Sequence, residues 1–142
     1  EKAVKDHEIA YLLLRDENTE YMKALMQADS MNIPANLVDG EVMRHDRTSP
    51  VFSVRENGRL HMRYTARAHN VIWKDDVTTK AAVTALDHLL KSDNKYIYRL
   101  TLQSGWGLIS NNVLHDRSGF TDDEDNPRLL YRSRYYDSLI LN

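Results

Sequence analysis

Residues 105–120, GWGLISNNVLHDRSGF, precede an acidic stretch at 121–127, TDDEDNP, and an arginine-rich run at 128–136, RLLYRSRYY. The first segment reads as a β-like run ending in a histidine, His115. The last reads as a strand in which Arg128, Leu130, Arg132 and Arg134 share one parity, opposite Leu129, Tyr131, Ser133 and Tyr135. A histidine ahead of an arginine-bearing strand sets a candidate metal ligand beside a candidate anion clamp. The rest of the chain is read outward from that pairing.

The chain has 142 residues, 42% hydrophobic and 28% charged, which suits one globular domain with a buried core. Its 19 basic and 21 acidic residues leave a formal charge of −2, so no overall field favours nucleic acid or an anionic membrane. No apolar run reaches the roughly 20 residues of a membrane-spanning helix, and no signal-like segment opens the chain. The expectation is a soluble, cytoplasmic protein. There are no cysteines, which excludes disulfides and thiolate ligands, so any metal must be held by His, Asp or Glu. The chain opens at EKAVKDHEIAYLLL, without an initiator methionine, and is helix-patterned almost at once. It reads as part of a longer polypeptide.

Ile9, Leu12 and Leu13, then Met22, Leu25 and Met26 behind an Asn18 or Thr19 cap, predict a helical hairpin over 6–28. Its methionines read as core filler. Pro34, Asn36, Asp39 and Gly40 supply turn chemistry, after which the apolar period falls to two. Phe52 and Val54, then Leu60, Met62 and Tyr64, alternate with polar residues around Asn57-Gly58, the strongest short-range hairpin signal. Residues 69–73 extend this β region. Thr78–Lys91 reads as a helix capped by Thr78 or Asp76, with Val83, Leu86, Leu89 and Leu90 on its buried side. Three further strands are expected at Tyr96–Gln103, Trp106–Leu114 and Arg128–Tyr136. The class is α+β with an antiparallel sheet flanked by helices.

Of six histidines, His115 is the best candidate ligand. A two-histidine, one-carboxylate set leaves positions open on Fe(II) for oxygen and substrate, and a His-x-Asp or His-x-Glu pair would complete it. None of the six histidines begins such a pair. Arg128 and Arg132 face the same way on a strand, but their α-carbons lie roughly 13 Å apart, so as an anion site one would hold a carboxylate and the other would serve a second anion or line the mouth; an arginine-rich strand facing solvent is the alternative. The acidic run at Asp122–Asp125 lacks the glycine and distal glutamate of a calcium loop and reads as solvated. Ser110 and Ser118 lack a nucleophile-elbow context. Trp73 and Trp106 read as packing residues, with Trp106 able to border a pocket.

Residues 105–136 resemble the C-terminal signature of the Fe(II)/2-oxoglutarate-dependent dioxygenases of the taurine dioxygenase-like group. DHEIAYLLLRDEN at 6–18 and SPVFSVRENGRLHMRYTARAHNVIW at 49–73 fit the same family. The resemblance runs over 1–142 and covers the C-terminal portion of a single family domain. It implies a mainly β core, a double-stranded β-helix or jelly-roll incomplete in this chain, with flanking helices. It further implies that His115 is the distal iron ligand and that Arg128 binds the distal carboxylate of 2-oxoglutarate. Arg132 then lies near substrate or co-substrate, with Tyr64 and Arg67 in a segment that contributes to the substrate pocket. The family's His-x-Asp pair is expected upstream, in another part of the polypeptide, a companion chain or another subunit, and a homo-oligomer is compatible. Unpaired sheet edges would otherwise stay exposed.

The activity implied is hydroxylation, or another oxidation, of a small polar substrate with Fe(II) as cofactor and 2-oxoglutarate as co-substrate. Halogenation, desaturation and cyclisation are alternative outcomes within the same chemistry. A noncatalytic jelly-roll binding or interaction module, lacking a complete metal site, is the alternative from a different class. A cupin-like isomerase or sugar-binding jelly-roll leaves the two arginines after His115 without a purpose.

Overall fold

The computed structural model describes residues 2–65, 71–92, 94–119, 121, 123–125, 127, 129–135 and 139. Among these the chain forms three helices and ten short strands in small open sheets, all paired antiparallel. The α+β composition expected from the sequence is present. Neither sheet edge nor strand order closes a barrel among the described residues.

The helical hairpin forms as its caps dictate. Helix α1 spans His7–Glu17 and α2 spans Thr19–Leu25. Asp6 caps α1 by accepting from the Glu8 amide at 2.7 Å, and Asn18 caps α2 by accepting from the Glu20 amide at 3.0 Å. Each cap satisfies an amide that has no partner inside its helix. Asn18 is extended, and this lets one residue end α1 and begin α2. Leu14, Met22 and Leu25 face inward, so the methionine at position 22 is core filler, as expected.

Helix α3 spans Val77–Lys91, and Asp76 is its cap. Asp76 accepts from both the Thr79 amide at 2.7 Å and the Thr79 hydroxyl at 2.8 Å. Thr79, Ala82 and Leu86 are buried, while Val83, Leu89 and Leu90 lie half-buried against the same core. The expected inward face is therefore right in direction, and small residues at its centre let α3 approach α2.

Strands β1 (Lys2–Lys5), β9 (Tyr98–Leu100) and β10 (Leu114–Arg117) form one sheet in the order β10-β1-β9. Strands β2 (Met31–Ile33), β5 (Arg47–Ser49) and β8 (Ile72–Trp73) form another, in the order β5-β2-β8. Two hairpins stand apart: β3 (Asn36–Val38) with β4 (Glu41–Arg44), and β6 (Phe52–Val54) with β7 (Leu60–Met62). The core joins Leu14, Met22, Leu25, Met31, Ile33, Val51, Phe52, Met62, Ala82 and Leu86. Three helices thus pack on β2 and the β6–β7 hairpin.

Buried Ser30 ties these pieces together. Its Oγ accepts from the Val51 amide at 3.2 Å, and that amide also donates to the Leu25 carbonyl at 2.8 Å. The Ser30 carbonyl accepts from the Lys74 amide at 3.1 Å. One small polar residue therefore satisfies backbone groups from α2, β6 and β8 that burial would otherwise leave costly.

Several expectations need correction. In the β6–β7 turn only Gly58 takes positive φ, +77°, and Asn57 does not. The Gly58 amide donates to the Arg55 carbonyl at 2.9 Å, and the Arg55 amide donates to the Arg59 carbonyl at 2.9 Å. This is a three-residue loop with the glycine in its left-handed position, not a two-residue turn. The two-residue turn with both central φ positive is Asp39-Gly40, at +52° and +84°, which joins β3 to β4. Its flanking Leu37 and Met43 are 61% and 64% exposed, so that hairpin adds nothing to the core.

The expected strand at Tyr96–Gln103 contracts to β9. Residues 106–113 are not strand and pair with no strand among the described residues; Asn112, at φ +52°, interrupts extended backbone just before β10 begins at Leu114. Residues 129–135 are exposed and form no strand, so strand parity does not orient Arg132. An extended segment needs a ladder partner to persist as a strand, and none pairs with it among the described residues. The start of the chain is a strand, β1, rather than helix, because Lys2–Lys5 is flanked on both sides by β9 and β10.

Candidate functional site

His115 sits on β10, an edge strand, opposite Val4 of the central strand β1. Leu114 packs on the core, so alternation turns His115 outward, and it is exposed. Its Nδ1 lies 3.2 Å from the Val113 carbonyl. A carbonyl can only accept, so Nδ1 is the donor in this contact, and in a neutral ring Nε2 is then the nitrogen with the lone pair. That tautomer is the one a metal ligand needs, with the second nitrogen fixed by a backbone oxygen. Asp116 beside it is also exposed, and its carboxylate accepts from the Arg117 amide at 2.6 Å.

Among the described residues no group of three or more His, Asp or Glu side chains is placed to hold a metal ion. His115 is therefore an exposed histidine that belongs to no such group among the described residues. Arg132 is exposed and forms no ion pair among the described residues. Arg128 and Arg67, the other two expected arginine contacts, lie outside the described residues.

Tyr64 follows β7 and is half-buried, its ring tilted at 30° on Trp73 with centroids 6.2 Å apart. Burial raises its phenol pKa above 10.0, and the Asp87 carboxylate of α3 adds to the rise. Tyr64 is therefore a neutral, packed side chain at the edge of the core. Trp73 is packed as expected, whereas Trp106 is 64% exposed. No hydrogen bond or ion pair joins His115, Tyr64 and Arg132 to one another among the described residues.

A constellation that the sequence does not single out gathers at His61 on β7. Its Nδ1 lies 2.9 Å from the Arg55 guanidinium and 3.0 Å from the Asn112 amide nitrogen. The same Asn112 nitrogen donates to the Met62 carbonyl at 3.2 Å. Nearby, buried His7 opens α1 with Nε2 3.1 Å from the Leu60 carbonyl, and its Nδ1 is buried without a hydrogen-bond partner. The one available signal was alternation, which puts Ser53 and His61 opposite each other on the hairpin face away from Phe52 and Met62. Nothing local predicts that Asn112, 51 residues away in sequence, meets that face.

Arg63, just past β7, is half-buried; burial and the neighbouring Arg47 and Arg44 guanidiniums lower its pKa. Lys5, buried at the end of β1, donates to Asn94 Oδ1 at 3.4 Å, and burial lowers its pKa. It fastens β1 to the end of α3. Among the described residues no helix is long and apolar enough to cross a membrane.

Comparison of the chain with protein-family models, with curated proteins and with solved structures gives no match.

Proposed function

We propose that this chain is the C-terminal portion of an Fe(II)- and 2-oxoglutarate-dependent oxygenase, similar to the taurine dioxygenase-like family, that hydroxylates a small polar substrate. The observation that carries the reading is the contact of exposed His115 with the Val113 carbonyl, which lies 3.2 Å from Nδ1 and so leaves Nε2 as the ligating nitrogen of a neutral ring. The sequence signature at 105–136 supplies the second support. The remaining two iron ligands come, in this reading, from a His-x-Asp pair in another segment or chain. The same partner adds strands to the open edges at β9, β10, β5 and β8 and so completes a jelly-roll, since such edges otherwise invite unwanted pairing.

When bound, Fe(II) with 2-oxoglutarate supplies oxygen activation coupled to oxidative decarboxylation to succinate and carbon dioxide. This chain's own residues supply positioning and charge. His115 would be the metal ligand this chain supplies, with the Val113 carbonyl orienting its ring by accepting from Nδ1. Arg128 fixes the distal carboxylate of 2-oxoglutarate through its bidentate fork. Arg132, which has no ion pair among the described residues, is a second contact for an anionic group. Tyr64 and Arg67 lie in the segment that, by the resemblance, contributes to the substrate pocket.

The test is co-substrate binding by the natural gene product with Fe(II) added anaerobically. Arg128→Ala is expected to weaken 2-oxoglutarate affinity by about 100-fold, the scale of a lost charge-assisted pair, while iron stays bound. Unchanged affinity overturns the assignment. The lack of a His-x-Asp or His-x-Glu pair in this sequence motivates a second reading, a noncatalytic jelly-roll binding module. A natural product of 16.5 kDa that copurifies with no second polypeptide and takes up no Fe(II) would establish the module instead.

A further inference from the structure

The contacts of His61 define its protonation state without reference to any titration. A guanidinium has donors and no acceptor, so Arg55 at 2.9 Å can only give a proton to Nδ1. The Asn112 amide could in principle turn either end to the ring. Its orientation is set by the Met62 carbonyl, which accepts from the same nitrogen at 3.2 Å and would repel an oxygen there. Nδ1 is therefore a bare lone pair serving two donors, and the proton of the neutral ring sits on Nε2.

Asn112 reaches this position because its backbone is left-handed, at φ +52°, a conformation asparagine adopts more readily than most residues. The adjacent Asn111 grips the C-terminal segment with both ends of its amide. Its nitrogen donates to the Leu139 carbonyl at 2.8 Å, and its oxygen accepts from the Leu139 amide at 2.9 Å. The asparagine pair thus carries two attachments in series, one to the β6–β7 hairpin and one to the C-terminal segment. It ends three positions before His115.

Among the described residues, the charged or titratable groups that act on His61 are Arg55, His7 and Arg63, all cationic or able to become so. The hairpin brings Arg55 and Arg63, and α1 brings His7, whose own Nδ1 lies 3.8 Å from Asp6. Residues 101–113 bring no charged side chain. Burial first, then Arg55, His7 and Arg63, hold the His61 pKa below the ordinary histidine value of 6.5.

We propose that His61 is a pH-sensitive latch: neutral, it holds the segment 101–113 on the β6–β7 hairpin through Asn112, and protonated, it lets that segment go. Protonation turns Nδ1 from acceptor to donor, so both hydrogen bonds are lost at once, and it sets an imidazolium against a guanidinium. Of the contacts named between Asn112 and the hairpin, only the one to the Met62 carbonyl then remains, which loosens the segment from the hairpin while β10 still anchors its end on β1. The latch does not depend on the oxygenase reading.

The experiment is a pH titration of the full chain by NMR, following histidine ring nitrogens and the backbone amides of 105–113. The expected result is a neutral His61 protonated on Nε2, titrating below the ordinary value of 6.5, with the amides of 108–113 shifting in step. In Asn112→Ala the His61 pKa should rise and those amides should lose their pH dependence. A ring protonated on Nδ1 at neutral pH, or segment amides that ignore the titration of His61, would overturn the proposal. A His61 pKa unchanged by Asn112→Ala would do so as well.

Discussion

Phe52→Ala should be the most damaging single change in the hairpin that both sequence pattern and structure identify. Phe52 is fully buried, opens β6 opposite Met62, and meets Tyr11 of α1 edge-to-face, with centroids 5.6 Å apart and planes at 75°. Truncating a buried phenylalanine costs about 3–5 kcal/mol, the transfer energy of the ring plus the cavity it leaves. The aromatic contact contributes about 0.5–1.5 kcal/mol of that. Domains of this kind have total stabilities of only about 5–15 kcal/mol, so the variant should be marginal. At this chain length the loss corresponds to a fall of roughly 10–17 °C in Tm. Urea unfolding followed by circular dichroism measures it, with Val54→Ala as control. Val54 shares the strand but is 60% exposed, so its truncation should change stability by no more than about 0.5 kcal/mol. A cycle with Tyr11→Leu and Phe52→Leu isolates the ring pair. If Phe52→Ala cost under about 1 kcal/mol, the packing of α1 on this hairpin would be refuted.

Two further outcomes follow from local geometry. Gly58→Ala should destabilise by about 1–2 kcal/mol, because φ is +77° there, although no heavy atom lies within 4 Å of the added methyl; a Tm equal to that of the parent would contradict the left-handed turn. Asp76 has its carboxyl pKa held below 3.8, chiefly by the Thr79 amide and then by the Thr79 hydroxyl. Its folded-state pKa is depressed, so its stabilisation is present above the ordinary carboxyl value and is lost as pH falls through the lowered one. Tm of the parent should therefore drop on acidification through the carboxylate range more than that of Asp76→Asn, which keeps a capping oxygen without the charge. Parallel pH profiles would count against the cap.

The helices were legible because their signals are local. Asn18 and Asp76 cap the next amides along the chain, and Met22, Leu25 and Leu86 lie inward as their spacing predicts, whereas α1 buries Ala10 and Leu14 in place of the expected Leu12, which is 44% exposed. The β6–β7 hairpin was legible for the same reason, although the turn uses Gly58 alone for positive φ. The C-terminal strands were not. Apolar residues such as Ile109, Leu129 and Tyr131 look like strand in sequence but are 76%, 74% and 86% exposed. Alternation states which face a residue would take if a partner strand existed, and it cannot supply the partner.

The candidate site divides along the same line. His115 and the absence of a His-x-Asp pair can be read directly from residue identity, as can the lack of cysteine ligands. That Nδ1 of His115 faces a carbonyl while Nε2 is free depends on a ring torsion and a backbone oxygen, which no residue pattern encodes.

By itself the sequence determined where the chain could be helical, where it must turn, and which side chains were chemically able to bind a metal or an anion. Each of those properties arises within a few residues, from backbone sterics, capping groups and side-chain chemistry. Only the tertiary structure decided that Lys2–Lys5 becomes the central strand between β9 and β10, that Ser30 joins three elements, and that Asn112 closes on His61. Those outcomes rest on hydrogen bonds between groups far apart in the chain. Their partners are selected by what the whole core can bury with every polar group satisfied.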